Sequence, residues 1–320
     1  MGSGLSDTAV TSRLGWPGVV APRRLRSALG WPGDNKVSRE TSSRSGLPQP
    51  PDTRVVVVAN QKGGVGKTTT VVNVAAALAQ EQQRVLVIDL DPQGNASTAL
   101  AIEHSEGTAG VYEAIVGGTP LREVVQQSPA FDCLHVVPAS IDLAGAEIDL
   151  VSLVARESRL HRALTAHLGE QDAAGQRVDY VFIDCPPSLG LLTVNALVAG
   201  QEILIPIQCE YYALEGVGQL LRTVEMVRAH LNADLAVGAI LLTMYDARTR
   251  LAAGVAEEVR AHFPEQVLRT AIPRSVRISE APSYQQTVMT YDAGSPGALS
   301  YLEAAREIAL RGATVTGGAQ

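Results

Sequence analysis

Aromatic residues are scarce in this chain. Phe, Trp and Tyr make up 4% of its 320 residues, although 46% are hydrophobic. Alanine, valine, leucine and isoleucine therefore carry the apolar content, which suits helices packed closely on a parallel sheet. Cysteine is equally scarce: Cys133, Cys185 and Cys209 show no C-x-x-C spacing. That argues against a disulfide framework or a cysteine-ligated cluster and for reduced, mostly buried thiols. No signal peptide is visible and no apolar run approaches the length that crosses a bilayer, so a soluble cytoplasmic protein is expected. Positive charge is not in excess either. A formal net charge of −7 gives no bulk electrostatic reason to bind nucleic acid.

Charge is unevenly spread. Residues 1–54 carry eight Lys/Arg against four acids (net +4), which leaves −11 for the remainder. Residues 1–53 are rich in Ser, Gly, Pro and Arg, a composition that disfavours a packed core, and are expected to form a disordered basic tail. Both tryptophans lie there, in the repeat Leu14-Gly-Trp-Pro-Gly18 and Leu29-Gly-Trp-Pro-Gly33. The repeat fits either a solvated extension or a tether anchored by Trp16 and Trp31.

From Arg54 onward, short β-branched runs alternate with helical patterns, the signature of βαβ units. Strands are expected at 55–59, 85–89, 134–138, 180–184, 203–208, 237–243 and 267–272. Helices are expected near 68–81, 152–168, 189–199, 213–231, 251–263 and 297–311. Several strands are apolar throughout and so need cover on both faces. The expected architecture is one α/β domain over 54–312, a doubly wound and mostly parallel sheet with helices on both faces. Residues 313–320 are expected to be a flexible C-terminus.

The chemistry concentrates after the first strand. Residues 59–70 read Ala-Asn-Gln-Lys-Gly-Gly-Val-Gly-Lys-Thr-Thr-Thr, between the run Val55–Val58 and an alanine-rich helical stretch. Strand, glycine turn and helix in that order make a phosphate-binding loop. Gly63, Gly64 and Gly66, with Val65, Thr68 and Thr69, let backbone N–H groups close around an anion at a helix N-terminus. Lys67 is placed to reach the β- and γ-phosphates, and Thr68 offers its hydroxyl to Mg²⁺. The usual pattern wants glycine at position 61. Gln61 stands there, and a second lysine, Lys62, opens the loop. A lysine at the mouth cannot easily fold back onto its own nucleotide and is available to another subunit.

Two acidic motifs end later strands: Val85-Leu-Val-Ile-Asp-Leu-Asp-Pro-Gln-Gly-Asn95 and Val181-Phe-Ile-Asp184. Phosphoryl transfer to water needs charge neutralisation and a group that places the attacking water. Asp184 is the candidate that holds Mg²⁺ through a water, as a hard oxygen donor. Asp91, which opens a segment expected to be mobile, is the candidate that orients the water, with a second possible role at the metal. Asp89 points to the same side of its strand as Asp91, and only one of the two need act.

Together Lys62-Gly-Gly-Val-Gly-Lys-Thr-Thr69, Asp89-Leu-Asp-Pro-Gln-Gly-Asn95 and Phe182-Ile-Asp-Cys-Pro-Pro-Ser-Leu-Gly190 resemble the ParA/Soj family of deviant Walker A partition ATPases. Pro206-Ile-Gln-Cys-Glu-Tyr-Tyr-Ala-Leu-Glu-Gly216, Leu242-Thr-Met-Tyr-Asp-Ala-Arg-Thr249 and Ile272-Pro-Arg-Ser-Val-Arg-Ile-Ser-Glu-Ala-Pro-Ser283 agree with its chromosomal, Soj-like branch. The resemblance covers about Arg54 to Leu310; the tail has no counterpart in it. It implies a P-loop fold, ATP and Mg²⁺ as cofactors, and an ATP-dependent homodimer in which Lys62 of each subunit reaches the partner's phosphates. It also implies that Asp91 is needed for hydrolysis and Lys67 for ATP binding. Adenine contacts from Met244 and Pro273 are softer expectations.

The same resemblance implies non-specific double-stranded DNA binding by the dimer, release on hydrolysis, stimulation by a ParB-type centromere-binding protein, and a nucleoid-associated location. Because the folded part is acidic, DNA contact would need a local basic face. Arg248 and Arg277 fall where Soj-like proteins carry DNA-contacting arginines, and Arg250, Arg269 and Arg274 are further candidates. The alternative is a MinD-like, membrane-associated cell-division ATPase. Such a protein needs a basic amphipathic C-terminal helix, and Leu302–Gly312 holds too few basic and bulky apolar residues, so no membrane partner is expected.

Overall fold

The computed structural model describes residues 46–211 and 213–314. Among the described residues eight strands form one sheet: β1 (Arg54–Val58), β2 (Val85–Asp89), β3 (Gln126–Gln127), β4 (Leu134–Val137), β5 (Tyr180–Asp184), β6 (Glu202–Gln208), β7 (Ala236–Tyr245) and β8 (Val267–Pro273). Their spatial order is β3-β4-β2-β5-β1-β6-β7-β8. All neighbours are parallel except the two-residue edge strand β3, which runs antiparallel to β4. The helices are α1 (Lys67–Gln80), α2 (Asn95–Ala99), α3 (Leu121–Val124), α4 (Ala146–Val151), α5 (Arg159–Ala173), α6 (Leu191–Ala199), α7 (Ala213–His230), α8 (Arg250–His262), α9 (Val276–Glu280), α10 (Val288–Tyr291) and α11 (Pro296–Thr314).

The all-apolar strands explain the layering. Successive side chains of a strand point to opposite faces. Val55 and Val57 accordingly enter one core with residues of α5, α6, α7 and α8. Val56 and Val58 enter a second core with residues of α1, α2, α10 and α11. Both faces are buried, as the β-branched runs require. Helix α1 lies between the sheet and α11, and its Ala75, Ala76 and Ala77 have no exposed surface. Small side chains there let three layers approach closely.

Four differences from the sequence reading have local causes. The helix expected at 152–168 is split: α4 ends at Val151, Ala155 adopts φ 51°, and α5 begins at Arg159. The break is held from outside, since Asn195 of α6 accepts from Leu160 N (3.2 Å) and donates to Arg156 O (2.8 Å). Residues 46–53, expected within the disordered tail, instead lie along the domain. Gln83 donates to Leu47 O (3.1 Å), Arg177 to Pro50 O (2.7 Å), and Thr53 Oγ1 to Val178 O (2.6 Å). The segment after Asp91, expected as a loop, is a tight turn closed by Gly94 N on Asp91 O (2.9 Å) and leads into α2. Helix α11 continues to Thr314, past the boundary expected at 312. The rest of the expected tail, with the tryptophan repeat, and residues 315–320 lie outside the described residues.

Candidate functional site

Strand β1 delivers the chain to the carboxyl end of the sheet, where ligands bind in open α/β folds. The loop is built by side chains on either side of it. Asn60, buried at the strand's end, donates to Pro206 O (2.8 Å) and accepts from Lys62 N (3.0 Å). Gly64 (φ 73°) and Gly66 (φ 88°) take the left-handed conformations the turn demands. Gly66 is also the N-cap of α1 and provides no capping side chain. The first N–H groups of that helix therefore have no side-chain partner at the cap and face the loop, an arrangement made for an anion. Thr243, at the end of β7, donates its hydroxyl to Val65 O at 2.8 Å and fastens the far side of the loop.

Lys67 is buried on the first turn of α1, with Nζ donating to Lys62 O at 3.3 Å. Burial lowers its pKa, opposed by the charges of Asp184 and Asp91. Register places Asp184 of β5 directly beside Asp89 of β2. Asp184 has no exposed surface, and neither carboxylate oxygen has a hydrogen-bond partner among the described residues. Burial, then the neighbouring Asp89 charge, pushes its pKa well above the usual carboxylate range; the Thr68 hydroxyl, facing it without closing a hydrogen bond, and Lys67 act the other way. Two orphaned oxygens at the bottom of an anion-binding loop suit a hydrated hard cation, which would supply the missing partners.

Asp89 is fully engaged otherwise. It accepts from Asp91 N (3.2 Å), Ser97 N (2.9 Å) and Ser97 Oγ (2.8 Å). Burial nevertheless raises its pKa to about 6. Its work is to fold the turn that presents Asp91. Asp91 is buried apart from 8% of its surface; one oxygen accepts from Gln93 N (3.1 Å), and the other has no protein partner among the described residues. The two acids therefore differ in role, Asp89 as scaffold and Asp91 as the group facing the loop.

At the loop's mouth Lys62 Nζ lies 3.4 Å from Glu210 Oε2. Met244 (φ 51°) and Pro273 end β7 and β8, and Tyr245 pairs with Pro273, so both candidates for the base stand in one corner of the same edge. Four of the candidate arginines are brought to that edge. Arg248 pairs with Asp246 through two nitrogens (2.9 and 2.8 Å), which lowers the Asp246 pKa to about 2. Arg250 opens α8. Arg274 faces Glu210 at 3.6 Å, and Arg277 stands between Glu280 (3.4 Å) and Asp292 (3.5 Å), over the Tyr291 ring. Arg269 is exposed but sits early on β8, its backbone N–H donating to Glu307 of α11, away from the other four. Sequence reasoning missed the supports: Asn60, Thr243, Ser97 and Glu210. Asn60 follows the strand directly and could have been found; Thr243 and Glu210 reach the loop only through the sheet order.

Comparison with known proteins gives consistent relatives. An AAA domain family model matches residues 53–237. The chain is 50% identical over 259 residues to the sporulation initiation inhibitor protein Soj of Bacillus subtilis, covering 81% of this chain and 99% of that protein. It is 48% identical to the chromosome partitioning protein ParA of Myxococcus xanthus over 81% of this chain and 88% of the relative. Among solved structures, a Mycobacterium smegmatis protein described as cobyrinic acid a,c-diamide synthase, with bound ADP and magnesium, is 39% identical with a TM-score of 0.67, over 79% of this chain and 92% of that one. The septum site-determining protein MinD of Pyrococcus horikoshii, complexed with Mg-ADP, shares the fold at 22% identity and a TM-score of 0.62, over 83% of this chain and 98% of that one.

Proposed function

The chain belongs to the Soj/ParA family of chromosome-partitioning ATPases, and on that premise we propose that it is a DNA-partitioning switch driven by its own ATP hydrolysis. The observation that carries the reading is the buried Asp184 carboxylate, unpartnered beneath a glycine loop that holds one lysine inside and another at its mouth. Lys67 holds the β- and γ-phosphates with the N–H groups of the loop and the first turn of α1. Mg²⁺, held by Thr68 and through water by Asp184, would supply positive charge against the γ-phosphate. Asp91, steadied by Gln93 N, orients the attacking water with its second oxygen.

Lys62, paired outward with Glu210, reaches for the phosphates of a second copy, so that ATP joins two subunits face to face. The dimer presents two sets of Arg248, Arg250, Arg274 and Arg277 at one edge and binds DNA phosphates without reading bases. A ParB-type partner stimulates hydrolysis, which releases the dimer from the nucleoid. Retention of the protein on non-specific duplex DNA with ATP, with ADP and without nucleotide, each at low and moderate salt, tests this. Retention with ATP alone, weakening with salt, is expected. Equal retention in all three states would move DNA contact to the basic N-terminal segment, and none at all would turn attention to anionic liposomes.

A further inference from the structure

We propose that Glu210 is a positioning residue for Lys62, holding its ammonium at the rim of the loop and off the phosphates of its own subunit. This rests on the reading that Lys62 acts on a second copy. Glu210 lies in the connection between β6 and α7 and is itself held on one oxygen: Oε1 accepts from Gln208 Nε2 and faces Arg274 Nη2 at 3.6 Å. Oε2 is thereby presented to Lys62 Nζ at 3.4 Å. The two ends of Lys62 have different partners. Its carbonyl oxygen accepts from buried Lys67, while its ammonium pairs with the partly exposed Glu210. Helix α7 passes beside the base of this side chain: a Cβ at Gly216 would stand 3.6 Å from Lys62 Cβ and 3.2 Å from Asn60 Oδ1.

A lysine ammonium on a four-carbon stem is mobile, and without Glu210 the nearest concentrated negative charge is its own subunit's triphosphate. The Lys62 and Glu210 side chains are 34% and 44% exposed. A pair that open to water shifts an equilibrium by up to about fivefold. Such a pair is strong enough to bias the lysine outward and too weak to keep it from the multiply charged phosphates of an arriving partner. Glu210 therefore holds the place that a second copy's phosphates take over.

The test is dimerisation by analytical ultracentrifugation with a non-hydrolysable ATP analogue, alongside binding of the analogue and of ADP to the monomer. For Glu210→Gln, a dimer weakened roughly threefold to fivefold is expected. Monomer affinity for the triphosphate should rise relative to ADP, as Lys62 turns onto its own γ-phosphate. Glu210→Asp, which keeps the charge, should recover part of both effects, and in a Lys62→Ala background Glu210→Gln should leave the monomer's relative affinity for the triphosphate and ADP unchanged. Unchanged or tighter dimerisation of Glu210→Gln would overturn the positioning role, provided Lys62→Ala abolishes the dimer. A Lys62→Ala protein that still dimerises would instead remove the trans-lysine reading beneath it.

Discussion

At the scale of the residue, the loop depends on single hydrogen bonds from distant strands. Thr243 Oγ1 is the donor that Val65 O receives, in a buried setting. Thr243→Val keeps the shape and removes the donor, leaving a buried carbonyl short of a partner at about 1 kcal/mol. Nucleotide affinity measured by calorimetry should fall about fivefold, and an unchanged affinity would show that the glycines hold the loop unaided. Asp91→Ala leaves the Asp89–Ser97 scaffold in place and removes the carboxylate, both the oxygen facing the loop and the acceptor of Gln93 N. This variant should keep ATP binding and dimerisation, lose turnover, and stay on DNA after ATP addition. Undiminished phosphate release would remove Asp91 from the mechanism.

At the scale of the element, α1 is a close-packed wall between the sheet and α11. Ala76→Leu forces extra methylenes into space with no slack and should destabilise the fold by about 1–3 kcal/mol, read as a lowered midpoint in urea. The helix was legible because alanine spacing and the preceding glycine mark it. Helix α5 starts later than its local pattern implies, because Asn195 of another helix holds Arg156 O and Leu160 N just after the turn at Ala155. His167, buried on α5, has an Nδ1 without a hydrogen-bond partner among the described residues, and burial lowers its pKa. An unfolded imidazole takes a proton near pH 6.5, whereas the folded one does so only at lower pH. The unfolded state therefore binds more protons as pH falls below about 6.5, and stability is lost in that direction. Denaturation midpoints from pH 7.5 to 5 should decline, less steeply in His167→Gln; identical slopes would place the acid sensitivity elsewhere.

At the scale of the whole molecule, the proposed function requires a negative chain to present a positive edge to DNA. Arg248 and Arg277 are already paired with carboxylates on the protein surface, so DNA phosphates compete with Asp246, Glu280 and Asp292. Affinity should be modest per subunit and fall steeply with salt. Arg277→Glu reverses a charge on α9, at the sheet edge outside the nucleotide loop. It should abolish DNA retention in the ATP state while leaving dimerisation intact by sedimentation. Retention equal to the parent protein would put the DNA face on other residues.

Local pattern by itself determined the strand runs, the glycine loop with its two lysines, and the aspartates at strand ends. These are set by side-chain period, by the left-handed turns only glycine takes freely, and by the polarity change where a buried strand meets water. Tertiary structure alone decided which of those groups meet. The order β2-β5-β1-β6 brings Asp89 beside Asp184 and sets the connection after β6, with Glu210, next to the loop. None of this has a local signal, because strand neighbours in a parallel sheet are chosen by crossovers of about a dozen or more residues, and burial at each carboxylate follows from that choice.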